Sequence, residues 1–154
     1  AKALKNFRGA QRRFEVLCES AVRVVIDDYA HHPVEIEAVL SMVREKYPQH
    51  KVAVVFQPHQ HSRTRFLMEG FAQVLAKFDM AIIPNIYFVR ESEELRREVT
   101  AADLVSAVAR HGGRAVHVAD EAAIAALAHS VGTPRVVLVM GAGDIWKLGR
   151  GLCG

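Results

Sequence analysis

Cysteine is nearly missing from this chain: its 154 residues include only Cys18 and Cys153. The two lie far apart and form no C-x-x-C pair, which argues against a cysteine-built metal finger or a dithiol redox motif. Two free thiols in a reducing, cytoplasmic setting are therefore expected. Long apolar runs are missing too, and none approaches the ~20 residues of a membrane-spanning helix. The start carries no signal-peptide pattern. Charge of one sign is scarce: 20 Lys and Arg stand against 17 Asp and Glu, a net charge of +3. With no dense basic block, that excess is too small to argue for nucleic acid. There is no internal repeat and no low-complexity stretch. No initiator Met is present, and the basic opening "AKALKNFRGAQRRFE" reads as a partly helical lead-in, over residues 1–12, to one domain of a longer protein.

What is present has the balance of a globular domain: 51% hydrophobic and 24% charged residues, in a chain long enough to bury a core. "RFEVLCES" and "AVRVVIDDY" read as two strands joined by a short turn. Pro33 suits the first turn of a helix, and Ile36, Val39, Leu40, Val43 and Tyr47 follow at helical spacing. "KVAVVFQ" has the continuous apolar character of a strand buried on both faces. A second helix is expected with Leu67, Phe71, Val74, Leu75 and Phe78 on one stripe, capped by Ser62 or Thr64. "MAIIPNI" is a core strand, and the charged "VRESEELRREV" a loop or a solvated helical turn. "TAADLVSAVARHGG" has a cap at one end and glycine at the other, as a helix should. "RAVHVA" and "RVVLVMG" are strands; "DEAAIAALAHSV" and "AGDIWKLGRGL" are helices. The alternation predicts an α/β fold, a mostly parallel sheet of about six strands with one antiparallel edge strand and helices on both faces.

In such a sheet ligands bind beyond the carboxyl ends of the strands. Three unusual polar stretches fall there: "DDYAHHP" after "VRVVI", "QPHQHSRTR" after "VAVVF", and "GAGD" after "VVLVM". His31, His32, His59 and His61, with Asp27 and Asp28, are metal-ligand types. Adjacent histidines rarely share one ion, however, and no H-E-x-x-H or Cys/His spacing supports a site. His111, His117 and His129 read as ordinary hydrogen-bonded side chains. "GAGD" fails as a dinucleotide fingerprint because Trp146 stands where the third glycine belongs, and no G-x-x-x-x-G-K-[ST] occurs, so a triphosphate cradle must come from elsewhere. Ser62 lies near histidines but has no G-x-S-x-G elbow, which argues against a covalent mechanism. Arg63 and Arg65 stand beside His59 at the expected start of a helix. Cations there oppose the macrodipole, so the two are either solvated or held by a local anionic partner. A guanidinium would grip a carboxylate bidentately.

Taken together, "DDYAHHP", "VVFQPHQHSRTR" and "VMGAGDIWKL" resemble the C-terminal domain of the Mur ligases, and "ALKNFRGAQRRFE" resembles the segment that opens that domain. The resemblance covers nearly the whole chain. It implies a Rossmann-like fold and an ATP-dependent ligase of peptidoglycan biosynthesis. A substrate carboxylate is phosphorylated by ATP with Mg²⁺, and an amino group attacks the acyl phosphate. Within the family the motifs are most similar to the branch that joins L-alanine to UDP-N-acetylmuramate. The N-terminal and central domains of the same chain would hold the UDP-sugar, the P-loop and the metal. This domain would close over them and be inactive alone.

Carried over by motif, the resemblance assigns Asp28 to the ATP ribose, and Tyr29, His31 and His32 to the cleft between nucleotide and amino acid. His59 and Arg63 would receive the alanine carboxylate. Gly141 to Asp144 would flank the reacting centre, with His31 and Asp144 as catalytic residues and Asp144 orienting the amine. Gln60 and His61 depart from the Arg and Tyr common in the family. The loop across residues 86–99 departs from the common Y-P-A-G-E form and is given no role. The alternatives are a murein tripeptide ligase domain, which lacks the Q-P-H-x-x-S-R-T-R form, a non-catalytic nucleotide-binding module of the same fold, or a metal hydrolase built on the histidines.

Overall fold

A computed structural model describes residues 12–154. Most of the lead-in therefore lies outside the described residues. The chain runs β1 (Glu15–Glu19), β2 (Arg23–Asp28), α1 (Pro33–Lys46), β3 (Lys51–Phe56), α2 (His61–Phe66), α3 (Met68–Leu75), β4 (Met80–Ile83), α4 (Glu93–Glu98), α5 (Ala101–Arg110), β5 (Ala115–His117), α6 (Glu121–Ser130), β6 (Arg135–Met140) and α7 (Trp146–Gly151).

The strands form one six-stranded sheet in the order β1-β2-β6-β3-β4-β5. Only the β1–β2 pair is antiparallel, so β1 is the expected antiparallel edge. The helices pack on both faces. Alternate residues of the strands point to opposite sides, so Val24, Ile26, Val54, Leu138 and Ile83 meet α1, α3 and α5, while Val25, Val55, Ile82, Val137 and Val139 meet α6 and the α7 end. β6, central and last in sequence, is buried from Val136 to Met140. This burial explains its unbroken apolar run.

The helix ends follow local chemistry. α1 has Pro33 in its first turn and a capping box: His32 Nδ1 accepts from the Val34 amide, and Glu35 accepts from the His32 amide. Thr100 and Asp103 form the same device on α5, and Asp120 caps α6. Ser92 caps α4, so the charged stretch is a short helix.

Two expectations are corrected. The second helix is broken at Leu67, and neither Ser62 nor Thr64 caps it. The residue before α2 is Gln60, which makes no side-chain cap, and Thr64 Oγ1 instead donates back to the Gln60 carbonyl at 2.7 Å. The cysteines are also not free. Cys18 on β1 and Cys153 after α7 form a disulfide with Cα atoms 5.9 Å apart. α7 packs back under β2 and β6, which brings Cys153 to β1 in a way the separation of 135 residues concealed.

Candidate functional site

The chain crosses from β2 to β3 through α1, and β6 later fills the gap between the two strands. Asp28 and Phe56 both pair in register with Met140. The loops after β2, β3 and β6 therefore converge on one crevice, the topological switch point where open sheets of this kind bind ligands.

On the β2 side, Asp28 is buried. Its Oδ2 accepts from the Phe14 amide and its Oδ1 from the Ala30 amide, each at 2.7 Å. Each oxygen keeps a second lone pair. Asp28, Tyr29, Phe14 and Met42 line a cavity of about 350 Å³. Tyr29 is half-exposed, with the Arg12 guanidinium 5.1 Å from its ring centroid and the His31 ring edge-on at 5.3 Å. His31 Nδ1 lies 3.1 Å from the Tyr29 carbonyl oxygen. The side chain of His32 is taken up in capping α1.

On the β3 side, His59 stacks on Tyr87, ring centroids 5.4 Å apart, and its Nδ1 is buried without a partner. Burial, the Arg63 charge and then the His31 charge hold its pKa below the ordinary value, and Glu91 opposes them weakly. His59 is thus neutral near neutral pH and offers a hydrogen bond rather than a charge. The cation here is Arg63. It is half-buried, and its guanidinium makes no ion pair among the described residues, whereas Arg65 pairs with Glu98.

The expected conflict between these arginines and the helix dipole dissolves. Because α2 has only six residues, Arg63 and Arg65 stand in its last turn, where the dipole favours cations. The anion at its N-terminus is internal. Glu91, its side chain 3% exposed, accepts from the His61 amide at 2.6 Å and from His61 Nδ1 at 3.1 Å. It also accepts from the Ser62 amide at 2.8 Å and the Ser62 hydroxyl at 2.6 Å. Burial resists its ionisation, but these bonds prevail and hold the carboxyl at about 2.

On the β6 side, Gly141 has φ +148°, and a Cβ there would lie 2.8 Å from the Gln57 carbonyl oxygen. A Cβ at Gly143 would lie 2.8 Å from Gln57 Oε1 and from the Tyr87 ring. The small residues are thus required by the packing of β6 on the neighbouring rim. Asp144 is exposed, pairs with Lys147 at 2.9 Å, and lines a separate cleft of about 290 Å³ with Gln57, Asn85 and Glu121.

Sequence reasoning missed Arg12 and Glu91, and left Asp27 without its role. Arg12 donates to Asp27 Oδ2 at 3.1 Å, to the Gly141 carbonyl at 2.6 Å and to the Gly143 carbonyl at 3.3 Å, tying the lead-in to the end of β2 and to the loop after β6. Asp27 is a buried partner of that arginine. Burial raises its pKa despite the opposing pull of Arg12. The paired Arg12 and Arg13 just before a strand were a signal of sorts. A carboxylate fated for the α2 N-terminus was not. His111, His117 and His129 do bond to Glu69, Asn85 and Arg23 respectively. Among the described residues, no group of three or more His, Cys, Asp or Glu could hold a metal ion.

Fold and crevice together define an α/β domain of the doubly wound class, with Arg63 unpaired among the described residues beside its switch point. The chain belongs to the Mur ligases: the family described as "Mur ligase, glutamate ligase domain" matches residues 12–143. The UDP-N-acetylmuramate–L-alanine ligase of Syntrophobacter fumaroxidans is 40% identical over 97% of this chain and 32% of its own length. The solved UDP-N-acetylmuramate–alanine ligase of Thermotoga maritima superposes with a TM-score of 0.74 at 29% identity, over 98% of this chain and 31% of that one. A murein peptide ligase from Psychrobacter arcticus shares the fold, with a TM-score of 0.71 at 18% identity over 98% of this chain and 31% of its own. The chain thus spans about a third of the length of the curated relatives it matches. Arg90, two residues before the Ser92 cap of α4, takes the left-handed conformation, with φ +53°.

Proposed function

We propose that this chain is the closing domain of an ATP-dependent ligase that joins L-alanine to UDP-N-acetylmuramate, and that it acts with N-terminal and central domains of the same protein. The observation that carries the reading is Arg63: a half-buried guanidinium that makes no ion pair among the described residues, next to a neutral imidazole, at the switch point of the sheet. Arg63 takes the alanine carboxylate, and His59 adds a hydrogen bond without adding charge. The amino group is left free to attack the acyl phosphate that ATP forms on the muramate carboxylate. His31, held between Tyr29 and Glu35, faces the same space and serves as the proton-handling group. Asp144 carries its carboxylate on the far side of Gly143, and its role as the residue that orients the amine depends on closure bringing substrate to that side.

Asp28 suits a ribose: it lines the 350 Å³ cavity, and each carboxylate oxygen keeps a lone pair for a hydroxyl. As the family resemblance implies, Mg²⁺, which would neutralise phosphate charge, is assigned to the other domains. The cytoplasm is the proposed location. The disulfide removes the thiol argument for it, and it rests instead on ATP and UDP-N-acetylmuramate as substrates.

The test joins this chain to the preceding domains of the Syntrophobacter fumaroxidans relative and follows alanine-dependent phosphate release. Arg63→Ala should raise KM for alanine about 100-fold, since a charge-assisted bidentate contact is lost. Unchanged alanine dependence overturns the assignment, and release with a tripeptide in place of alanine would favour the murein tripeptide reading.

A further inference from the structure

α2 begins without a cap of its own. Gln60 before it has φ +69° and makes no side-chain bond to the helix. The bonds an N-cap would supply come instead from Glu91, about thirty residues away in sequence and two residues before α4. The same loop grips the rim on the other side of His59. The Tyr87 amide donates to the Pro58 carbonyl at 2.8 Å, and the Gln60 amide donates to the Tyr87 carbonyl at 3.0 Å. The Tyr87 ring stacks on His59 itself. His59 is therefore clamped from both sides by one loop, and the turn that carries Arg63 is fastened by its carboxylate.

We propose that Glu91 is a positioning residue: it holds the first turn of α2, and through it His59 and Arg63, in the geometry that receives the substrate carboxylate. This rests on the ligase reading above. Two features favour it over a purely structural cap. The hydrogen bonds of the Glu91 carboxylate among the described residues all go to His61 or Ser62, between the two residues that would touch substrate. Its carboxylate also occupies the amides of the helix N-terminus. An incoming carboxylate is thus directed to Arg63, the guanidinium with no ion pair among the described residues. Ionised throughout the neutral range, Glu91 does this without changing state.

The test has two readouts. In the 154-residue chain, amide exchange at His61 and Ser62 should quicken about tenfold or more in Glu91→Ala, as their acceptor is lost. In the fusion described above, Glu91→Ala should raise KM for alanine about tenfold or more, with KM for ATP and kcat within about threefold, because a shift near 1 Å falls on the binding pair alone. A structural defect would instead lower kcat through loss of active protein and leave KM unchanged, and that result overturns the proposal. If Glu91→Ala does not fold, Glu91→Gln decides. It keeps one acceptor oxygen, so an intermediate KM supports the proposal and a parental KM refutes it. A parent fusion with no alanine-dependent release would sink the ligase reading, whereas an active parent with an unaltered Glu91 variant sinks only this inference.

Discussion

Arg12→Ala should destabilise the domain more at neutral than at acid pH. Asp27 is 4% exposed on its side chain, and Arg12 is its hydrogen-bond partner; its other oxygen, Oδ1, has none. Removing one member of a buried pair strands the other charge and costs about 3–5 kcal/mol; with Arg12 21% exposed, we expect about 3 kcal/mol. The folded-state pKa of Asp27 is already raised. Its contribution is therefore fully present below the ordinary value of 3.8 and lost as pH rises through the folded value. In Arg12→Ala that folded value moves higher still, so the window of loss extends toward neutrality.

Urea denaturation at about pH 7.5 should show the full loss, and at about pH 4.5 only about 1–2 kcal/mol, the share of the bonds to the Gly141 and Gly143 carbonyls. Adding Asp27→Asn to Arg12→Ala should recover most of the difference at the higher pH, because no charge is left to bury. Equal losses at both pH values, with no recovery in the double variant, would refute the reasoning.

Gly141→Ala combines a positive φ with a 2.8 Å clash against backbone, and should cost about 2 kcal/mol or more in denaturant melts and disorder the 141–144 loop by amide exchange. Arg90→Gly should do the opposite, raising stability by about 0.5–1 kcal/mol, since an exposed residue is relieved of the left-handed conformation. Cys153→Ser should lower stability by about 2–4 kcal/mol, because the bridge closes nearly the whole chain. Thiol titration of the unfolded, unreduced parent should find no free thiol.

The rim was legible because its components are local. "DDYAHHP" follows β2 directly, and the run of buried β-branched residues before it already says where the strand ends. Pro33, Thr100 and Asp120 marked their helices through contacts within one turn. The second helix misled for the same reason: an apolar stripe from Leu67 to Phe78 looks continuous, and nothing within it announces that α2 stops at Phe66. His32 shows a different limit. A histidine in a polar rim motif reads as a cleft residue, yet its ring nitrogen caps α1, a use visible only once the helix start is placed in space.

By itself, the sequence determined the order of strands and helices, the antiparallel edge and the three loops that meet at the switch point. Side-chain period, caps and chain reversals act over a few residues and are written in a few residues. Only the tertiary structure decided what each polar group faces. Arg12 reaches the Gly141 carbonyl across 129 positions, Glu91 reaches His61 across 30, and Cys18 meets Cys153 across 135. The Arg12 contact depends on β6 lying beside β2, the Glu91 contact on β4 lying beside β3, and the disulfide on α7 folding back against β2 and β6, and a linear pattern carries no measure of those distances. That Arg63 makes no ion pair among the described residues is likewise a property of the folded rim rather than of the linear pattern.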